Sequence, residues 1–164
     1  RLILVANRDE FYDRPTAAMA YWEDHPDVLA GRDLKGNGTW LGVSLTGRIT
    51  AITNYRDPAA HMQDAPSRGD LTRNYLIGDA SPQHYLGEVR KIGRHYNGFN
   101  LIAGDTNAFI YYSNRSIGVQ QLKAGIYGIS NRLIDTAWPK VQRAKALFQT
   151  ESGGREKIDI KVRL

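Results

Sequence analysis

The stretch that decides the fold is "TWLGVSLTGRITAITN", residues 39–54. It holds two alternating runs, Thr39–Ser44 and Arg48–Asn54, rich in Val, Ile and Thr, and Thr46-Gly47 sits between them. Period-two alternation on both sides of a short glycine-bearing turn is the pattern of an antiparallel hairpin. The same reading extends upstream to strands at Ala17–Trp22, Val28–Asp33 and, on its five apolar residues, Leu2–Ala6. The first third of the chain is therefore expected to be β.

The pattern changes after that. Asp70–Ile77 is closed by Gly78, and a second helical segment opens with Ser81 as cap and Pro82 at the first helical position. In the latter, Tyr85, Val89, Ile92 and Tyr96 form an apolar stripe that Asn97-Gly98 ends, predicting a helix over 81–97. Strands are predicted at Phe99–Ala103, Ala108–Ser113, Ile117–Gln120 and Ile126–Ser130. A last helix is predicted over 136–149, with Pro139 in its first turn. Hairpins, two helices, more hairpins and a helix make an α+β domain, and two hairpin groups with helices outside suit an αββα sandwich. One domain over residues 1–150 is expected, with Glu151–Leu164 a loosely ordered tail in which Ile158–Val162 alternates like a short strand.

Composition limits the function. The 164 residues are 41% hydrophobic and contain no cysteine, so packing rather than disulfides must hold the fold, and no thiol is available as nucleophile or zinc ligand. His25, His61, His84 and His95 are scattered without metal-ligand spacing, so neither a metal nor another cofactor is expected. No apolar run approaches the roughly 18 residues of a membrane span. The chain reads as soluble and cytoplasmic. A net charge of +5, with arginine in excess of lysine, favours an anionic partner. The basic residues are dispersed, however, and no nucleic-acid-binding motif occurs, so a small anionic or acylated ligand is expected rather than a nucleic acid.

Polar residues recur where predicted strands end. Asn7-Arg8-Asp9-Glu10 follows Leu2–Ala6, Asn54 and Arg56 end the second strand of the hairpin, and Asn131-Arg132 follow Ile126–Ser130. An Asn amide stays neutral at any working pH and Arg carries a permanent charge in a rigid fork, so together they suit a carboxylate or a developing oxyanion. Asn is equally at home in an ordinary turn, and Asp9 could be a simple cap. Spacing alone leaves both readings open.

Four longer words go further: "ANRDEFYDRPT" (6–16), "LAGRDLKGNGTWLGVSLTGRITAITNYRDP" (29–58), "SRGDL" (67–71) and "GISNRLIDTAWPKVQRAK" (128–145). They resemble the NRDE family, also called the transport-and-Golgi-organisation family, over residues 1 to about 149. The resemblance implies the four-layer αββα sandwich of the N-terminal nucleophile hydrolases. Members usually begin with Met-Cys a short way upstream and continue well past residue 150, so truncation at both ends is expected. In that superfamily the first residue after processing supplies the nucleophile and its own α-amino group serves as base; here the nucleophile is expected upstream of residue 1.

By analogy with the bile-salt and penicillin V amidases, Asp9 would orient the terminal amine, and Asn54 and Asn131 would stabilise the oxyanion. Asn7 matches the Asn of the amidases' first segment. Arg8 follows that Asn instead of preceding it, so its side chain should leave a regular strand on the opposite face. Arg56 and Arg132 are the candidate substrate-binding cations. The resemblance implies either an amide-bond hydrolase acting on a small acylated metabolite or a non-catalytic pocket of the same fold for haem or acyl-coenzyme A. No oligomeric state is implied.

Overall fold

The computed structural model describes residues 2–8 and 10–152. Its centre is one seven-stranded antiparallel sheet in meander order: β1 (Thr16–Tyr21), β2 (Val28–Asp33), β3 (Leu41–Ser44), β4 (Ile49–Asn54), β5 (Phe99–Gly104), β6 (Phe109–Ser113) and β7 (Gln120–Leu122). The β3–β4 hairpin closes as its sequence requires. Ser44 N–H donates to the Arg48 carbonyl at 2.9 Å, Gly47 N–H to the Ser44 carbonyl at 3.0 Å, and Gly47 has φ +81°. A three-residue loop needs a left-handed residue at that point, which glycine adopts without steric cost.

Between β4 and β5 lie α1 (Gly69–Ile77) and α2 (Pro82–Ile92). Ser81 caps α2 as expected, its hydroxyl accepting from His84 N–H at 3.3 Å. The predicted helix over 81–97 stops early, because a single 3₁₀ turn at Gly93–His95 tightens its end. Both helices cover one face of the sheet. Leu71 and Tyr75 of α1 and Leu86 and Val89 of α2 pack on Phe99, Leu101, Ile110 and Tyr112. Trp22, Val28, Ala30 and Leu76 make a smaller core at the β1–β2 end.

α1 enters close to the chain just before β3. Thr39 N–H donates to the Gly69 carbonyl at 3.3 Å, and Thr72 Oγ1 donates both to Gly69 O at 2.7 Å and to Thr39 O. A Cβ on Gly38 would lie 2.8 Å from Gly69 Cα. Glycine is therefore required there for the close approach. Arg48 closes the other end of α1, donating to the Tyr75 and Ala80 carbonyls at 2.8 and 2.7 Å while its guanidinium lies 4.0 Å from the Tyr75 ring centroid.

The hairpin expected from Thr39–Ser44 and Arg48–Asn54 forms as the hydrogen-bonded pair β3–β4, and the described residues make one sheet of the two expected. Residues 2–8 form no strand, and neither do 126–130. Both segments have strand-like composition, yet among the described residues neither joins an open edge of the sheet, where β1 pairs with β2 and β7 with β6. A strand exists through its ladder rather than through its own residues. The strand expected at Ile117–Gln120 forms three residues later, at Gln120–Leu122. α3 runs over Pro139–Ser152 and includes the start of the expected tail; Ile158–Val162 lies outside the described residues. No described helix is long and apolar enough to cross a membrane.

Candidate functional site

At the seam where β4 meets β5, the two chains stay paired beyond the formal strand ends. Asn54 is opposite Phe99, and Tyr55 N–H donates to the Gly98 carbonyl at 2.8 Å. A third segment closes on this seam: Arg56 N–H donates to Asn131 O at 2.9 Å, and Asn131 Nδ2 donates to Asn54 O at 3.1 Å. The sequence-predicted Asn54 and Arg56, at the end of β4, thus meet Asn131 from far along the chain. They line a cleft of about 610 Å³ with Tyr55, Asn97 and Arg68 among its walls, a volume typical of small-molecule sites.

Its walls are pinned by backbone-directed bonds. Asn97 holds the loop after β4 through a reciprocal pair, Met62 N–H to Asn97 Oδ1 and Asn97 Nδ2 to Met62 O, both 2.8 Å. Asp57 is taken up by Arg115 at 3.1 Å, so the carboxylate among the lining residues is already partnered. The cations are not. Arg68 donates to the Gly98 carbonyl at 3.0 Å but has no ion-pair partner among the described residues, and the Arg56 guanidinium has no side-chain partner among them. Burial pulls the Arg68 guanidinium below its ordinary pKa, Glu10 opposes that shift, and Arg14 adds to it. A bound anion would offset the desolvation of Arg68.

The other predicted residues fall into two groups. Arg132 stands beside the cleft, donating to Tyr55 Oη at 3.3 Å, with its guanidinium 5.6 Å from the Tyr55 ring and 5.9 Å from Trp138. Asn7 and Arg8 are not lining residues. Arg8 lies over the Trp40 ring at 4.4 Å, with Glu10 3.9 Å away, and Glu10 also faces Arg14 at 3.8 Å. Asp9 lies outside the described residues. Arg68 was absent from the sequence-derived set, although it stands in the "SRGDL" word; a cation directly before a helix start was the available signal.

The Transport and Golgi organisation 2 sequence pattern matches residues 1–160. The chain belongs to the Transport and Golgi organisation 2 family. It is 44% identical over 168 residues to the Transport and Golgi organization protein 2 homolog of Bos taurus, covering 95% of this chain and 60% of that protein. With the Homo sapiens homolog it shares 43% over 157 residues, 90% of this chain and 56% of the other. With Transport and Golgi organization protein 2 of Drosophila melanogaster it shares 28% over 169 residues, 91% and 58%. The chain thus spans less than two thirds of the length of these relatives. The "NRDE", "GNGTWLG" and "GISNR" words all lie inside the region the family pattern matches.

Chemically, the cleft offers amide donors and fixed cations. The Asn131 amide spends one N–H on Asn54 O, and its oxygen accepts from Ser130 Oγ and Lys140 Nζ at 3.3 and 3.2 Å, leaving one N–H for a ligand. None of the lining residues is Cys, Ser or Thr, and among the described residues no group of His, Cys, Asp or Glu is placed to hold a metal ion. The arrangement can hold a carboxylate, a phosphate or a polarised carbonyl.

Proposed function

We propose that the cleft at the β4–β5 seam binds a small anionic or acylated ligand, of which an acyl-coenzyme A or the propionates of haem are the chemical types. The observation that carries this reading is the convergence of Arg56 and Arg68, two cations without described ion-pair partners, with the Asn54 and Asn131 amides. Arginine supplies charge and fixed donor geometry, and the Asn pair supplies a donor for the carbonyl of the acyl group.

The test is titration of palmitoyl-coenzyme A and of haemin into wild type, Arg56→Ala and Arg68→Ala, at about 0.05 M and about 0.5 M salt. Loss of one charge-assisted contact, about 1.5–3 kcal/mol, weakens binding about 10- to 100-fold. Equal affinity in all three proteins removes this cleft from consideration.

A second reading, amide-bond hydrolysis of the N-terminal nucleophile type, is favoured by the contact between Asn54 and Asn131, the two residues that the amidase resemblance pairs around an oxyanion. It requires a nucleophile from outside these 164 residues. Comparing acyl-amide turnover by a natural full-length family member with that of its N-terminal Cys→Ala variant distinguishes the two, since only hydrolysis depends on the thiol.

The finer architecture we propose is the four-layer αββα sandwich. Supporting it, the sheet face turned away from α1 and α2 carries Leu29, Leu41, Val43, Ile49, Ala51 and Ile102, related by the β2–β5 register. An apolar face of this kind suits a second packed sheet. A crystal structure of a full-length relative with this face open to solvent would exclude the arrangement.

A further inference from the structure

Within an otherwise apolar strand, β5, sits Asn100, 1% exposed. A fully buried side-chain amide is uncommon and must satisfy its donors and its acceptor. Asn100 does so with two carbonyls of one loop and two side chains of the flanking strands. Its Nδ2 donates to the Ser130 carbonyl at 3.2 Å, to the Arg132 carbonyl at 2.9 Å and to Thr53 Oγ1 at 3.1 Å, and its Oδ1 accepts from Tyr111 Oη–H at 2.8 Å. Thr53 Oγ1 in turn donates to Ser130 O at 2.8 Å, and Tyr111 Oη accepts from Ile134 N–H at 3.1 Å.

The three side chains come from neighbouring strands: Thr53 of β4 is opposite Asn100 of β5, and Tyr111 belongs to β6. They form a polar strip that grips the backbone of 130–134 on both sides of Asn131 and Arg132. The segment has no ladder of its own to hold it.

We infer that Asn100 is a positioning residue for the cleft: through the Ser130 and Arg132 carbonyls it fixes the backbone that presents the Asn131 amide and the Arg132 guanidinium. Thr53 and Tyr111 complete the clamp. The inference rests on the proposed binding site only for its ligand readout; loop placement itself is measured without ligand.

The experiment is hydrogen exchange and side-chain amide NMR on the 164-residue chain and on Asn100→Ala, Tyr111→Phe and Thr53→Val, with Thr50→Val as control. Thr50 is equally buried, but its hydroxyl donates within the sheet, to Ile102 O at 2.7 Å, rather than to the 130–134 loop. In the clamp variants the Arg56 amide, whose acceptor is Asn131 O, exchanges about tenfold faster, the order expected for loss of a buried hydrogen bond. The Asn131 side-chain amide resonances move to their unstructured positions, while the Leu101 and Ala103 amides keep their protection. Thr50→Val lowers the melting temperature and leaves the Arg56 and Asn131 signals unchanged.

Affinity for palmitoyl-coenzyme A falls in parallel with loop release. If wild type binds neither this probe nor haemin while exchange responds as described, the positioning role stands and the ligand reading falls. Wild-type Arg56 exchange and wild-type Asn131 resonances in folded clamp variants overturn the inference. Should Asn100→Ala fail to fold, Tyr111→Phe and Thr53→Val decide the matter.

Discussion

Gly38→Ala tests how tightly the entry of α1 is tied to the cleft. A methyl group at residue 38 would lie 2.5 Å from the Gly69 carbonyl oxygen and 2.8 Å from Gly69 Cα. These are backbone atoms and cannot rotate away, so restoring ordinary contact distances of about 3.5 Å requires the first turn of α1 to retreat by about 1 Å. Overpacking of this kind costs about 1–3 kcal/mol. The same retreat stretches the 3.3 Å bond from Thr39 N–H to Gly69 O, adding about 0.5–1.5 kcal/mol. For a chain of this length each kcal/mol lowers the melting temperature by about 2–4 °C, so a drop of about 3–18 °C is expected. Arg68 directly precedes Gly69 and must move with it, so affinity for an anionic probe falls as well. Thermal denaturation and palmitoyl-coenzyme A titration measure the two effects on the same sample. A Gly38→Ala protein within about 1–2 °C of wild type, the shift made by an inconsequential surface change of ~0.5 kcal/mol, would refute the close-approach argument.

Arg48→Met keeps much of the packing but removes two bonds to the Tyr75 and Ala80 carbonyls; each charged bond contributes about 1.5–3 kcal/mol, so urea unfolding is expected to show a loss of about 3–6 kcal/mol. Burial raises the Tyr75 phenol to about 12, and Arg48 lowers it from where burial alone would place it. The same substitution therefore moves the Tyr75 titration further up in ultraviolet difference spectra. Burial alone would raise the Asp33 carboxyl, but the Arg14 bond at 2.5 Å and the Lys35 and Gly36 backbone N–H groups outweigh it and hold its pKa below the ordinary value. A carboxylate depressed in the folded state contributes stability above its unfolded pKa of about 3.9, and that contribution is lost as pH falls through the folded value. Asp33→Asn is thus expected to lower stability at pH 7 and to flatten its decline below about pH 4, measured by urea midpoints across pH.

Much of the sheet was legible because hairpins announce themselves locally. β2 has the same bounds in sequence and structure, and Gly47 marks the β3–β4 turn through a backbone angle that other residues avoid. Leu2–Ala6 and Ile126–Ser130 misled because alternation and apolar composition describe what a strand would bury. They do not say whether a neighbour exists to pair with it. At the cleft, Asn54 and Asn131 were legible from a shared position at the end of an apolar run followed by a nearby arginine. Their contact is a tertiary fact that no spacing records. Asn100 stands out in the sequence as a single amide within "FNLIAG", where every neighbour on the strand is apolar. The signal of Arg68 was weaker, since arginines are frequent in this chain and only the seam at Gly98 gives this one its place.

The meander order of the sheet bears on how the chain acquires its shape. Six of its joins link consecutive strands, and five of these close short loops. The β4–β5 join alone spans the two helices, from Asn54 to Phe99. Local pairings form fast and distant ones wait on loop closure, so β1–β4 and β5–β7 are expected to assemble as separate kinetic units. The six registered pairs between Ile49–Asn54 and Phe99–Gly104 then unite them late. Because the cleft is built across that last join, neither unit alone can hold the proposed anion, and a fluorescent anionic probe that binds between Arg56 and Arg68 would report the final step of folding rather than the first.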